Sequence, residues 1–483
     1  MVLLKNDNQT LPLDRNETIA LIGEFAKHPR YQGSGSSKIN PTRVDNAFEA
    51  FENIAGENLT YARGYDASSD TVNSSFTKSA LNAAQSADKV VLMLGLPDHY
   101  ESEGFDRTHL SLPNNQLKLL NAILSVNKKV IVTLSNGAPV ALPFNDEVPA
   151  ILETYLSGQA GGSAVVDILY GEETPGGKLA ESFPEKADDL PANENFPGNP
   201  RQVLYKEGPY IGYRYFETVG VRPLYPFGHG LSYSTFKISD VTCDKLELAD
   251  NDSLSLSLTI ENTGKRHAKE TVQIYAGMHD SKISRPAKTL IAFKKIALDP
   301  KKSTSMTFTL NTNSLEYFDK SLGKFAVEDG LYLLMVSTSS TTVHDSLSVL
   351  VQGHEATVED SPYKAPPKGF EPSDEAFAER LGYPIPDTPP IKPYHYNSTL
   401  GELSDTLIGK ILRRSVRKRM RAMAGENLSN QRMMDAMVDA MPLRTLNMMS
   451  GGAMSKATAN GLVQMANGHL LKGIKTLLTK KKK

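Results

Sequence analysis

The stretch LPDHYESEGFDRTHLSLP, residues 96–113, follows directly on the apolar run Lys89-Val-Val-Leu-Met-Leu-Gly95. A short run that is apolar almost throughout is what a strand buried on both faces of a parallel sheet looks like. The loop after it carries Glu101 and Glu103 on either side of one serine, then Asp106 and Arg107. Charge is costly to desolvate, so carboxylates just past a buried strand end need a reason. One is chemistry, because ligands of open α/β sheets gather outside the carboxyl ends of the strands. The other is a solvated, charged connection, and the loop by itself leaves both open.

Outward from this stretch, similar runs recur at Thr18–Gly23, Lys129–Ser135 and Ala150–Tyr155, separated by helical patterns such as Ser79–Ala87, Asn115–Val126 and Gly161–Leu169. The alternation predicts an α/β domain over residues 1–222, with a mostly parallel sheet between helices. From Phe236 to Val351 polar and apolar residues alternate, as in SLSLSLTIEN, ETVQIYAG and STSMTFTLN. About seven short strands at this spacing predict an all-β sandwich of immunoglobulin or fibronectin type over 223–351.

Residues 352–395 are rich in proline and acids and have no useful period, which predicts a linker or strap. Residues 396–483 read as a helical extension with a basic tail. Ile408, Leu412, Val416, Met420 and Met423 fall at helical spacing, with Lys410, Arg413, Arg414, Arg417, Lys418, Arg419 and Arg421 on the other faces. That pattern predicts an amphipathic helix docked on its neighbour, with a nucleic-acid or membrane patch as the alternative reading. The Met-rich stretch 433–454 reads as adaptable packing, and the lysines 480–483 as a solvated tail.

A chain of 483 residues is long enough for about three domains. Its net charge of −2 argues against nucleic acid or an anionic membrane as partner. The single cysteine, Cys243, leaves no internal disulfide, and the ten histidines show no metal-ligand spacing, so neither metal nor cofactor is expected. With no signal-peptide pattern at the start and no long apolar run, a cytoplasmic location is the expectation.

Six segments in order resemble glycoside hydrolase family 3: VLLKNDNQTLPL (2–13), YQGSGSSKINP (31–41), ESEGFDRTHLSLPNNQ (101–116), YLSGQAGGSAVVDILYGEETPGGKLAESFP (155–184), YKEGPYIGYRYFE (205–217) and PLYPFGHGLSYSTF (223–236). The resemblance covers roughly residues 1–350 and implies the family's α/β sandwich joined to a fibronectin type III-like domain. It implies hydrolysis of terminal non-reducing β-D-glucosyl, or related β-glycosyl, residues by a retaining mechanism. Family members carry the nucleophile on a TIM barrel. No nucleophile can be placed in this chain, and too few residues follow 351 for a barrel, which takes roughly 200 or more. A TIM-barrel domain or chain is therefore an expected partner, beside the carbohydrate substrate.

The family's acid/base lies on the loop that here reads ESEGFDR. The resemblance assigns that role to Glu103, with Glu101 the fallback. A general acid working near neutral pH needs a raised pKa, from burial or from a neighbouring carboxylate. Asp106 and Arg107 are candidate substrate contacts, with a local ion pair between them as the plainer reading. The loop GSGSS (33–37) lacks the Lys-Ser/Thr ending of a P-loop. In this family it would line the sugar cleft, which makes Ser34 and Ser36 candidate substrate contacts. A non-catalytic carbohydrate-binding or interaction module, or a truncated gene product, is the alternative reading.

Overall fold

The computed structural model describes residues 1–199, 202–425, 428–449 and 454–478. The lysines 480–483 and residues 450–453 of the Met-rich stretch lie outside them. The first domain runs β1 (Val2–Asn6), β2 (Ile19–Ile22), α1 (Ala47–Ala55), β3 (Leu59–Ala62), α2 (Ser74–Ser86), β4 (Lys89–Gly95), α3 (Asn114–Leu124), β5 (Val130–Ser135), β6 (Ala150–Glu153) and α4 (Gly161–Tyr170). Asn46 and Asn73 start α1 and α2 by accepting bonds from the free amides of the first turn.

One six-stranded sheet results, in the order β1-β6-β5-β4-β2-β3, parallel except for β1, which runs antiparallel to β6. Strands β2 and β5 and nearly all of β4 are buried, as their unbroken apolar sequences require. From β2 the chain moves outward to β3; from β4 it moves the other way, to β5 and β6. The loops after β2 and β4 therefore diverge at the sheet's topological switch point. The two loops still meet over that point, the place where open α/β sheets gather their ligands.

After a short helix α5 (Tyr213–Val219), the second domain contains β7 (Phe236–Cys243), β8 (Glu247–Ala249), β9 (Ser253–Asn262), β10 (Ala268–Gly277), β11 (Thr289–Leu298), β12 (Ser303–Asn311), β13 (Tyr317–Asp319), β14 (Lys324–Ala326), β15 (Gly330–Ser337) and β16 (Val343–Gln352). They form a sandwich of two sheets, β12-β9-β7 and β11-β10-β15-β16-β8, with β13 and β14 as a separate hairpin. On β9, Leu254, Leu256, Leu258 and Ile260 point inward at every second position. β10 departs from that alternation and is buried on both faces. Its outer face packs on the first domain, where Tyr275 meets Tyr213 edge-on and Gln273 Nε2 donates to Gly228 O.

The strap crosses back over the first domain. Tyr363, Phe370 and Phe377 pack with Tyr210, Tyr215 and Phe216, and the Tyr363 hydroxyl donates to Lys206 O at 2.7 Å. It also contains a helix, α6 (Asp374–Leu381), started by the Ser373 hydroxyl. The extension follows as α7 (Leu407–Ala424), α8 (Leu428–Ala440), α9 (Leu443–Met449), α10 (Lys456–Ala466) and α11 (Leu470–Leu478). Leu412, Val416 and Met420 face its core, whereas Met423, near the end of α7, is exposed. Asp439 accepts from both Arg413 and Arg417, and Asp435 pairs with Arg421.

Candidate functional site

The two loops at the switch point are held together by Arg30, a side chain that the sequence did not single out. Its guanidinium is buried and donates to Leu96 O at 3.1 Å, to Glu101 O at 3.2 Å and to Gln32 O. It also lies 2.9 Å from the Asp98 carboxylate, which Lys38 approaches to 2.7 Å from the other side. One cation thus fixes the path of both loops.

Glu101 turns inward. Its Oε1 accepts from Arg107 at 3.1 Å and its Oε2 from the Gly137 amide at 2.7 Å, so both oxygens are occupied. A Cβ on Gly137 would sit 3.2 Å from that carboxylate, closer than side-chain contacts normally come. Arg107 also donates to Pro139 O at 2.8 Å. The expected ion pair between Asp106 and Arg107 is not formed. Arg107 reaches back over the strand ends to Glu101, while its neighbour Asp106 is exposed.

Glu103 is exposed, and its Oε2 accepts from the Ser36 amide at 2.7 Å. Its own amide donates to Ser34 O at 3.2 Å. Gly35, at φ +117°, makes the approach possible, since a Cβ there would lie 2.5 Å from the Glu103 Cβ. The Ser36 hydroxyl and amide hold the Glu103 carboxyl below the usual range. That is opposite to the raised value expected of a general acid. The loop supplies hydrogen bonds and no burial, and the second carboxylate, Glu101, is turned away into its own partners. Ser34 is buried with its hydroxyl 3.1 Å from the Ser429 hydroxyl of α8, so it faces the extension.

The raised carboxyl in this region is Glu153, at the end of β6, which the sequence reading passed over. It is wholly buried and pushed up to about 8, chiefly by desolvation. It accepts from the Tyr155 amide at 2.7 Å and from Asn136 Nδ2 at 3.1 Å. Tyr155 has φ +52°, a conformation that bulky residues rarely adopt, and its hydroxyl donates to Glu181 at 3.1 Å. Burial raises Glu181 as well. The rule that marked the loop after β4, carboxylates at a buried strand's carboxyl end, would also have found Glu153.

Helix α8 closes one side of the loop. The Ser429 hydroxyl donates to Asp98 O at 3.0 Å, and Arg432 donates to His99 O at 2.7 Å while lying over the Phe105 ring.

Residues 1–233 match the glycosyl hydrolase family 3 C-terminal domain, and residues 270–340 match a fibronectin type III-like domain. Those residues are a C-terminal portion of glycoside hydrolase family 3. Thermostable beta-glucosidase B of Acetivibrio thermocellus is 46% identical to this chain over 345 residues, 71% of the chain and 46% of the relative. The exo-alpha-(1->6)-L-arabinopyranosidase of Bifidobacterium breve is 36% identical over 363 residues, 73% of the chain and 47% of the relative. The chain therefore spans about half the length of the curated relatives it matches. The crystal structure of the Bifidobacterium adolescentis GH3 beta-glucosidase superposes with a TM-score of 0.70 at 34% identity, covering 85% of this chain and 55% of that one. That share is too large for residues 1–352 alone, so the likeness in fold continues past the fibronectin-like domain.

Proposed function

We propose that this chain supplies the acid/base half of a retaining exo-β-glycosidase site, with Glu103 as the acid/base. The observation that carries the reading is the contrast between the two glutamates. Both oxygens of Glu101 are committed to Arg107 and the Gly137 amide, whereas Glu103 is exposed at the switch point and bonded by Ser36. A retaining mechanism needs a nucleophilic carboxylate about 5–5.5 Å from the acid/base. That carboxylate, the sugar-gripping groups and the burial that would raise Glu103 into an acid's working range all come from a TIM barrel facing the loop. The known relatives include a beta-glucosidase and an arabinopyranosidase, so the sugar itself is left open. Arg107 and Asp106 lie nearby as candidate contacts for the leaving group.

The test is to supply a family 3 barrel, fused ahead of Met1 or co-expressed, and to compare leaving groups. Glu103→Ala is expected to lower turnover of cellobiose-like substrates by about 10²–10⁴-fold, the usual worth of general acid–base catalysis. Glycosylation from activated aryl glycosides, whose leaving groups depart without a proton, falls much less. Added azide restores their turnover, since a small anion attacks the glycosyl-enzyme without a base. Glu101→Ala disturbs the Arg107 pair and shows no such rescue. Rescue that follows Glu101 overturns the assignment. Rescue with neither, in a barrel-restored protein that hydrolyses its substrate, removes the loop from catalysis and favours the non-catalytic module.

A further inference from the structure

The chain's charge of −2 averages two opposite parts. Residues 396–483 hold sixteen Lys and Arg against five Asp and Glu, a net of +11, which leaves −13 on residues 1–395. The expectation of no membrane partner rested on the average. Asymmetry of this size is a recognised sign of an anionic partner. Within the extension the acids Asp435 and Asp439 pair with Arg413, Arg417 and Arg421 and leave one positive charge over. Lys410, Arg414, Lys418 and Arg419 are exposed on α7 and make no ion pair among the described residues. Leu407 and Ile411 share that exposed side, 76% and 62% accessible.

Helix α11 is built the same way. Leu470, Ile474 and Leu478 recur at every fourth position with Leu471 beside them, which puts all four on one face. All four are exposed, Leu471 by 83% and Leu478 by 65%. Lys475 and Lys472 border this face along one side, next to Leu471. The adjoining face, next to Leu470, is already used. Gly473 and Leu477 lie against Gly461 and Met465 of α10, so closely that a Cβ on Gly473 would collide with both.

We propose that the extension is a peripheral membrane-binding surface for anionic lipid, with the apolar face of α11 entering the interface and the unpaired cations of α7 meeting the headgroups. An exposed apolar face bordered by lysine is the pattern of helices that lie in the interfacial plane. Lipid is favoured over nucleic acid because no Phe, Tyr or Trp follows Tyr396, which leaves this surface without the row of large rings that stacks successive bases. A second copy is disfavoured because it would bring one +11 surface against another. No described helix is long and apolar enough to cross a membrane, so the attachment is to the surface. The inference is independent of the acid/base site.

The test is flotation of the full chain with vesicles of phosphatidylglycerol and phosphatidylcholine, against pure phosphatidylcholine, at low and high salt. Binding is expected on the anionic vesicles alone and is lost as salt rises. Arg414→Gln with Lys418→Gln should weaken it about 25-fold, taking a factor of about five for each cation near an anionic surface. Leu471→Glu, at an exposed position that folding does not need, should weaken it about tenfold or more. No binding to the anionic vesicles, or wild-type binding by either variant, overturns the proposal. So does a dimer that Leu471→Glu dissociates, an RNA homopolymer bound tighter than vesicles, or loss of vesicle binding once a barrel is fused ahead of Met1.

Discussion

Glu153 is a carboxyl group whose surroundings favour its neutral form. It lies wholly inside the end of the sheet and is pushed up to about 8, so at neutral pH it keeps its proton when folded and loses it when unfolded. The sign follows from that difference. Its contribution to stability is fully present below about pH 4.5 and is lost as pH rises through about 8. Glu153→Gln keeps the shape and the acceptor for the Tyr155 amide without the ionisation. Urea denaturation from pH 5 to 8.5 should show a falling stability for the wild type and a flatter profile for the variant. The gap near pH 8.5 should be on the order of a few kcal/mol in favour of the variant. Equal slopes would mean that Glu153 is already ionised in the folded protein. At this scale Glu101 and Glu103 were both legible in the sequence, because a carboxylate beyond a buried strand end is conspicuous. Which of them is occupied was not. Their partners Arg107, Gly137 and Ser36 are fixed by where three separate loops meet, and Arg30 sits about seventy residues before the loop it organises.

Strands β2, β4, β5 and β6 were legible to within a residue or two, because burial on both faces leaves an unbroken apolar run. Strands β1 and β3 were not read as strands. β3 is partly exposed, and β1 lies at the sheet edge with two of its five residues half-buried. The strap's composition suggested exposed chain, yet its aromatic residues at 363, 370 and 377 dock on the segment around α5. Proline content reports the lack of regular hydrogen bonding, and three widely spaced rings are enough to anchor such a chain. Hydrogen exchange should therefore divide the strap. Amides of α6 and around Tyr363 should exchange slowly, while the exposed stretch 386–393 exchanges at close to the free rate. Fast exchange throughout would show that the docking does not persist in solution.

Across the whole molecule the first two domains share a polar seam. Lys178 and Glu270 pair at 2.8 Å with little exposure, Arg266 donates to Gly171 O at 2.8 Å, and Lys295 donates to Gly176 O at 2.7 Å. Removing one member of a buried pair strands the other charge, so Glu270→Ala should cost about 3 kcal/mol in denaturant unfolding. Lys178→Met with Glu270→Leu should recover most of that loss, and a single variant without effect would show that the seam is open to water. The architecture of residues 1–352 was legible because each layer has its own period. The seating of the extension was not, because α8 reaches a loop more than 300 residues earlier through only a few contacts. Those contacts have their own consequence. Ser429 and Arg432 both end on main-chain carbonyls, those of Asp98 and His99. Every residue has that group, so apart from the Phe105 ring under Arg432 the grip follows the course of the loop and is indifferent to its spelling. Ser102 and Asp106 can therefore be exchanged by drift or by design, changing what the loop presents without loosening the bolt that holds it.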